Sequence, residues 1–415
     1  MSAVMNLSPI QHFRVFILLM ALAPLMASCL DETPTETISR FEVRVEMPDG
    51  FRETIKYTDK TVVLKSNRFT YTARTNENEI AIFTGVVPDI YSISTSWEIE
   101  GDEYILMADT IVESRDVVLM ASLPAENIFA EGTKTLVLIK AVKQSLIVSK
   151  VYASGTKDLN NRNYTSDQYI EFFNNSDQVV VIDSSYYFGL VEAESVIAFP
   201  ALTNPGYVYA RQIFRFFNNA SQLEVQPGGS VLVANSAVNH LEFAPASVNL
   251  RSSDFEAKSP TFSNNSEVKE LKLVFSAFPS LIYMNLVRGG DNGVFLFRTD
   301  EKVSQFPIFY IPGKETGNRY MRIPANLIFD GVETLKNKVN VGPDVNTKRL
   351  HQFIDAGYMN INALSGYTNE SIERRVDKVK SNGQRIFLID TNNSTNDMRT
   401  VTDPTPGKYD KALLN

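Results

Sequence analysis

Asp390, Asn392, Asn396 and Asp397 put four oxygen-bearing side chains close together near the C-terminus. Carboxylate and amide oxygens suit calcium, which makes Asp390, Asn392 and Asp397 candidate ligands. The Asp-x-Asp-x-Asp-Gly spacing of a dedicated calcium loop is missing, and Asx turns account for the same residues. Glu171 is a lone charge in the apolar run Tyr169–Phe173. It either faces solvent or accepts backbone amides at a sheet edge. No partner acid at readable spacing equips it for acid–base catalysis. His240 follows Asn239 with no second ligand three or four residues away, so it reads as a hydrogen-bonded loop histidine. The chain has three histidines and contains no G-x-S-x-G elbow, phosphate-cradling Gly-Lys loop or H-E-x-x-H helix. No catalytic set is therefore assigned, and no cofactor.

Several polar stretches read as structure. Gly289-Gly290-Asp291-Asn292-Gly293 lacks a following lysine and helix, which leaves a hairpin turn. Asp330-Gly331 reads as a turn leaving a strand at Leu327-Ile328-Phe329. Ser371–Val376 reads as a short helix with Arg374 and Arg375 on a solvated face. The Asn-x-Ser/Thr matches at Asn163, Asn174 and Asn264 read as asparagine-rich turns.

Cys29 is the only cysteine, so no disulfide can form within the chain. It follows Arg14, the apolar run Val15–Ala23 and the small residues Ala27 and Ser28. A positive charge, a short apolar stretch and small residues before the cut compose a signal peptide, and the run is short of the roughly 20 residues of a bilayer span. Met26-Ala27-Ser28-Cys29 resembles the bacterial lipobox, which implies lipidation of the Cys29 thiol; an ordinary signal peptide with a chance cysteine is the alternative. Residues 1–28 are thus the expected signal peptide and 29–38 a lipidated tether. Asp31 and Glu32 resemble the acidic pair that directs Bacteroidota lipoproteins to the outer face of the outer membrane; a merely solvated tether is the other reading. Asp109-Thr110-Ile111 resembles the short O-glycosylation motif of that bacterial group.

These features must be carried by a chain of 415 residues, 44% apolar, with a formal charge of -8. The length allows two or three domains with sizeable cores, and the acidic balance gives no basic surface for nucleic acid. From Phe41 the pattern alternates strictly: Phe41, Val43, Val45 and Met47 interleave with Glu42, Arg44 and Glu46. This is the period of a half-buried strand. Strands are also expected at Thr61–Leu64, Phe69–Ala73, Glu79–Phe83, Ile90–Ser94 and Val117–Met120. After Leu146 they follow at Leu146–Tyr152, Tyr169–Phe173, Val179–Ile182, Val231–Ala234, Leu271–Phe275, Leu281–Val287 and Gly293–Phe297. Short strands separated by turn residues predict sandwiches.

Thr75–Phe83 followed by Val86-Val87-Pro88-Asp89-Ile90-Tyr91 resembles the prealbumin-like, carboxypeptidase regulatory-type β-sandwich over roughly Ser39 to Ser145. Glu79 and Asp89 stand where that family usually has glycine. The resemblance implies a structural spacer. Tyr91 and Trp97 are read as core or edge packing, with an exposed binding pair as the alternative. Asp167–Ser176, Gln226–Ala234 and Leu250–Glu256 fall in the order of a lamin-tail domain, an immunoglobulin-like sandwich. From about Leu146 to Tyr409 the chain resembles the Bacteroidota lipoprotein group termed domain of unknown function 4876. The resemblance implies a binding or positioning unit and carries no activity.

The expectation is an all-β protein with two β-sandwich, immunoglobulin-like domains, residues 39–145 and 146–415, the second enlarged by long loops. It is expected to be a non-catalytic lipoprotein held in the outer membrane by its lipid, at the cell surface. There it would bind or position an outer-membrane β-barrel protein or an extracellular ligand, with no nucleic-acid partner. The alternative is a lipid-anchored hydrolase or metal-dependent enzyme using loop carboxylates such as Asp390 and Asp397.

Overall fold

Alternation at Phe41–Glu46 buries Phe41, Val43 and Val45 and leaves Arg44 and Glu46 exposed. The computed structural model that shows this describes residues 36–191, 206–257, 262–338, 342–343, 348–362, 365–381 and 385–409. The signal segment, Cys29 and the tether as far as residue 35 lie outside the described residues, and residues 36–38 of the tether lie within them. In the first domain, Phe41–Glu46 is the middle strand of a three-stranded sheet, between Ile80–Phe83 and Gly132–Val137. This packs on a five-stranded sheet ordered Thr70–Arg74, Thr61–Lys65, Asp89–Ile99, Val117–Ile128, Ile139–Val142. Val43, Tyr57, Leu64, Tyr91, Ile93 and Leu119 share the core between them. Tyr91 is buried and donates its hydroxyl to the Val87 carbonyl at 2.7 Å. Trp97 is half-buried beneath the Lys60 ammonium, 3.8 Å from its ring centroid. Glu79 adopts φ +61°, the left-handed geometry that explains why glycine is usual there. Its carboxylate accepts the Tyr57 amide at 2.8 Å, which offsets the local strain. A seven-residue helix, Gly101–Met107, joins the two long strands Asp89–Ile99 and Val117–Ile128 without a clear periodic signal in the sequence.

The second domain packs a seven-stranded sheet on a nine-stranded one. The first runs Lys269–Glu270, Phe255–Glu256, Ser230–Ala234, Tyr169–Asn174, Leu146–Tyr152, Ser371–Arg374, Met398–Val401. The second centres on Tyr207–Arg215, Tyr186–Val191, Asn292–Arg298 and Ile328–Lys338. Val148, Ile170, Phe172, Phe188, Phe214 and Leu296 fill the space between them. Phe295, Phe297 and Ile213 point the other way, onto Val303, Leu350 and Ile354 from the loops. Strands covered on both faces are buried along their whole length, as at Tyr169–Asn174.

Three local expectations are corrected. Leu281–Val287 joins no sheet, and the chain bends at Tyr283. Its backbone is held by side-chain amides instead. Gln212 donates to the Leu281 and Tyr283 carbonyls at 3.0 and 2.9 Å, and its oxygen accepts the Asn285 amide. Asn235 bonds both backbone groups of Met284, and Asn292 both of Val287. A hydrophobic run signals burial, and here burial is satisfied without a neighbouring strand. Asp330-Gly331 is no turn: it lies inside Ile328–Lys338, beside a bulge that turns the strand at Leu296/Phe297. Ser371–Arg374 is a strand, not a helix, and Arg374 is buried rather than solvated.

Candidate functional site

Strand alternation places Ile372 and Arg374 on the same side of Ser371–Arg374, facing the core. The Arg374 guanidinium there meets three buried carboxylates: Asp330 at 3.2 Å, Asp390 at 3.1 Å and Asp397 at 3.1 Å. Its Nε donates to the Val148 carbonyl at 2.8 Å and Nη1 to the Ile389 carbonyl at 3.1 Å. Burial by itself opposes the guanidinium charge, but Asp390, Asp330 and Asp397 outweigh it and hold the proton more firmly. Burial also raises Asp330 well above the ordinary carboxylate range and Asp397 to about 7, against the pull of Arg374. The guanidinium stays charged, and burial beside the other acids favours the protonated forms of Asp330 and Asp397.

The segment Asp390–Asp397 thus comes together, as its composition suggested, but around a guanidinium. Asp397 further accepts the Thr391 amide at 2.8 Å and hydroxyl at 2.7 Å. Asn392 adopts φ +50° and donates its side-chain amide to the Phe353 carbonyl at 3.1 Å. Asn393 caps the short helix Ser394–Asp397 through the Thr395 amide. Among the described residues no group of three or more His, Cys, Asp or Glu side chains is arranged to hold a metal ion. Asp355 completes the assembly, accepting amides from Glu333, Gly357 and Ser394 at 2.8–2.9 Å. Gly357 has no room for a side chain: a Cβ would meet Asn393 Oδ1 and come within 2.6 Å of the Thr395 nitrogen.

The outward side of the same turn grips the first domain. Lys65 Nζ donates to the Thr395 carbonyl at 3.1 Å, and Asn396 Nδ2 to Ser94 Oγ at 3.3 Å. Lys380 pairs with Glu98, which also binds Lys143 at 2.8 Å. Ala356 packs against Val118, Met120 and Ala141. Residues 390–397 therefore form a clasp, with one side locked to Arg374 and the other on the first sandwich.

Glu171 occupies a central strand, not an edge or a solvated face. Its Oε2 accepts the Gly407 amide at 3.0 Å and lies 3.5 Å from Lys150 Nζ, itself buried. Lys150 donates to the Thr405 and Lys408 carbonyls at 2.7 and 2.6 Å, so the C-terminal segment straps across the sheet. His240 is the expected satisfied histidine, with Nδ1 2.7 Å from the Tyr164 hydroxyl and Nε2 2.7 Å from the Ser236 carbonyl. Burial lowers it to about 4. Asn174 donates its side-chain amide to the Gln178 carbonyl in the following turn and to the Val225 carbonyl of the strand Leu223–Val225.

Asp167 sits nearby, buried, with Oδ2 accepting the Tyr152 hydroxyl at 3.0 Å and the Ser247 hydroxyl at 2.6 Å. Burial raises it to about 6, against the usual value of about 3.9. A carboxyl raised on folding contributes stability below pH ~4 that is lost as pH climbs through about 6. Asp167→Asn removes that loss. Measured by urea unfolding, the variant should gain on the parent by about 2–3 kcal/mol between pH 4 and pH 7, at about 1.4 kcal/mol per pKa unit. A constant difference across that range would show that Asp167 is ionised in both states.

A cleft of ≈ 350 Å³ opens in the first domain, lined by Tyr104, Ile111, Val112, Glu113, Arg115 and Lys140 among others. Lys140 donates to the Tyr104 hydroxyl at 2.6 Å, and Glu113, the sole acid of the lining, pairs with Arg115. Asp109, Thr110 and Ile111 are exposed beside it.

Sequence reasoning missed Arg374 and Lys150. Ser371–Arg374 and Leu146–Tyr152 are buried along their whole length, so no alternation of polar and apolar residues marks either cation.

Residues 226–405 match the family described as "Protein of unknown function (DUF4876)". That span begins inside the second sandwich, since Ser230–Ala234 pairs with Tyr169–Asn174 upstream of it. A crystal structure of a DUF4876 family protein from Bacteroides thetaiotaomicron VPI-5482 aligns with a TM-score of 0.57 at 20% identity. The alignment covers 89% of this chain and 98% of that one, and the likeness is one of fold. The Bacillus anthracis TIE protein aligns with a TM-score of 0.16 and 8% identity over 70% of this chain and 48% of that one, too little to carry any argument. No curated protein matches the chain.

Proposed function

We propose that the protein is a non-catalytic lipoprotein of the outer membrane, anchored through Cys29 at the cell surface, a reading supported by the match of residues 226–405 to the DUF4876 model. It binds or positions an envelope protein, such as an outer-membrane β-barrel, or an extracellular ligand. The clasp at residues 390–397 carries this reading. It fixes the larger sandwich to the smaller one through Lys65 and Ser94, with Lys380 adding an ion pair to Glu98, so the first domain acts as a mount between the tether and the second. The acids that an enzymatic role would call on, Asp390 and Asp397, are committed to Arg374. Supporting the anchor is the sequence Met26-Ala27-Ser28-Cys29 with its preceding apolar run.

The test is affinity capture from intact outer membranes, comparing the parent with Cys29→Ala. The parent should retain a stoichiometric membrane partner, and the variant should be released or mislocalised while keeping its fold by circular dichroism. Delivery of the variant to the outer membrane like the parent would overturn the anchor. Recovery of no partner, together with tightly bound metal, would overturn the binding role.

A further inference from the structure

The first described residues join the sandwich at one end of its long strand pair. Ile38 bridges to Val86, and the Ser39 hydroxyl donates to Glu131. Two large apolar side chains are exposed at this same end: Ile90, 53% accessible, and Phe129, 61% accessible. Asp89 pairs with Ile128 and Ile90 with Asn127. Phe129 follows Ile128 at a bend just past the strand end, so both exposed apolar residues lie where the strand pair stops. Ile128 itself turns into the core.

Cys29 precedes Ile38 by nine residues. A chain of that length spans about 30 Å at full extension, so an anchor on Cys29 keeps this end of the domain close to the bilayer surface. Around the two apolar residues Arg40 pairs with Glu42, Arg68 with Asp89 and Lys134 with Glu126, and Glu131, bonded to the Ser39 hydroxyl, adds an acid. Such a surface has little net attraction for anionic headgroups, and its contact with lipid is apolar. The opposite end of the strand pair, where Ile99 faces Val117, leads into the helix Gly101–Met107, on which Leu106 is 69% exposed. Exposure alone therefore does not separate the two ends; distance from the anchor does.

We propose that Ile90 and Phe129 form a membrane-contacting tip that seats the first sandwich on the lipid surface, with Leu106 held away from it. The proposal rests on the Cys29 anchor of the preceding section. Its occupant is the lipid interface of the membrane that carries the anchor. Once the tether raises the local lipid concentration, two apolar side chains suffice to orient the domain.

The experiment supplies the anchor chemically, so it is independent of whether Cys29 is acylated in cells. The chain beginning at Cys29 is coupled through its single thiol to maleimide-bearing lipid in phosphatidylcholine vesicles, with and without brominated acyl chains. Three variants, Phe129→Trp, Ile90→Trp and Leu106→Trp, are compared with the parent, whose sole tryptophan is Trp97. Emission from positions 129 and 90 is expected to shift to the blue on coupling and to fall at least twofold with brominated lipid. Position 106 and the parent should stay unchanged, and 0.5 M salt should leave the quenching intact. Equal quenching at 106 and 129, or none at 129 and 90, would overturn the tip. Loss of quenching in salt would replace the apolar contact with an electrostatic one and overturn it as well. Failure here with Cys29→Ala still mislocalised in cells would refute the tip and leave the anchor standing.

Discussion

Replacing Arg374 by leucine should cost about 3–5 kcal/mol of stability at pH 8, the range for breaking a buried ion pair by removing one partner. The guanidinium binds Asp330, Asp390 and Asp397 and two backbone carbonyls in a space none of them shares with solvent. Leucine fills much of the volume but leaves three carboxylates facing one another. Asp330 and Asp397, which burial already raises, then move further above the usual carboxylate range. For acids raised on folding, stability is present below the unfolded value of about 3.9 and lost as pH rises through the folded one. The deficit of Arg374→Leu should therefore shrink at pH 5. Urea unfolding of parent and variant at both pH values measures it. A deficit below 1 kcal/mol at pH 8, or one that grows in acid, would mean that Arg374 is not the centre of the clasp. Because Asp397 also anchors the turn that meets Lys65 and Ser94, the variant should loosen the two domains. Two separate unfolding transitions are expected in place of one.

Lys150→Met should have the second-largest effect, about 3–5 kcal/mol by the same argument. The ammonium neutralises Glu171 and, at longer range, Glu373, whose carboxyl burial already raises and Lys150 holds back. It also donates to the carbonyls of Thr405 and Lys408, which gives the loss a local readout. The Lys408 carbonyl belongs to the bond that trypsin cuts. In the parent that carbonyl is engaged by Lys150, and the adjoining Tyr409 is packed on Phe173 with its hydroxyl on Ser149. Cleavage after Lys408 should be slow in the parent and many-fold faster in Lys150→Met, followed by mass spectrometry of the released tail. Equal rates would show that the strap is held by Tyr409 alone.

Both predictions concern cations whose importance could not be judged from their own neighbours in sequence. Arg374 and Arg375 are adjacent arginines, and paired arginines are ordinarily a solvated face. Only one of them is. Arg375 sits on the opposite side of the chain, where its Nε reaches the Met398 carbonyl. The deciding partners of Arg374 lie 16, 23 and 44 residues away. A similar separation explains Leu281–Val287: its apolar side chains announce burial, but its backbone partners are the amides of Gln212, Asn235 and Asn292 on other elements.

What the sequence determined by itself is the local layer. Period-two patterning gave strands at Phe41–Glu46 and Thr61–Lys65. Continuous apolar runs gave the doubly covered strands of the second domain, and the Pro227-Gly228 turn leads into Ser230–Ala234 as expected. These follow from backbone geometry and the side chains within a few residues, which a linear chain displays directly. The tertiary structure decided where charge resides. Asp390, Asn392 and Asp397 have the composition of a cation site whatever the cation, and sequence spacing cannot distinguish a metal ion from a guanidinium brought in from another strand. The fold supplied Arg374, and with it turned a candidate calcium loop into the clasp that joins the two sandwiches.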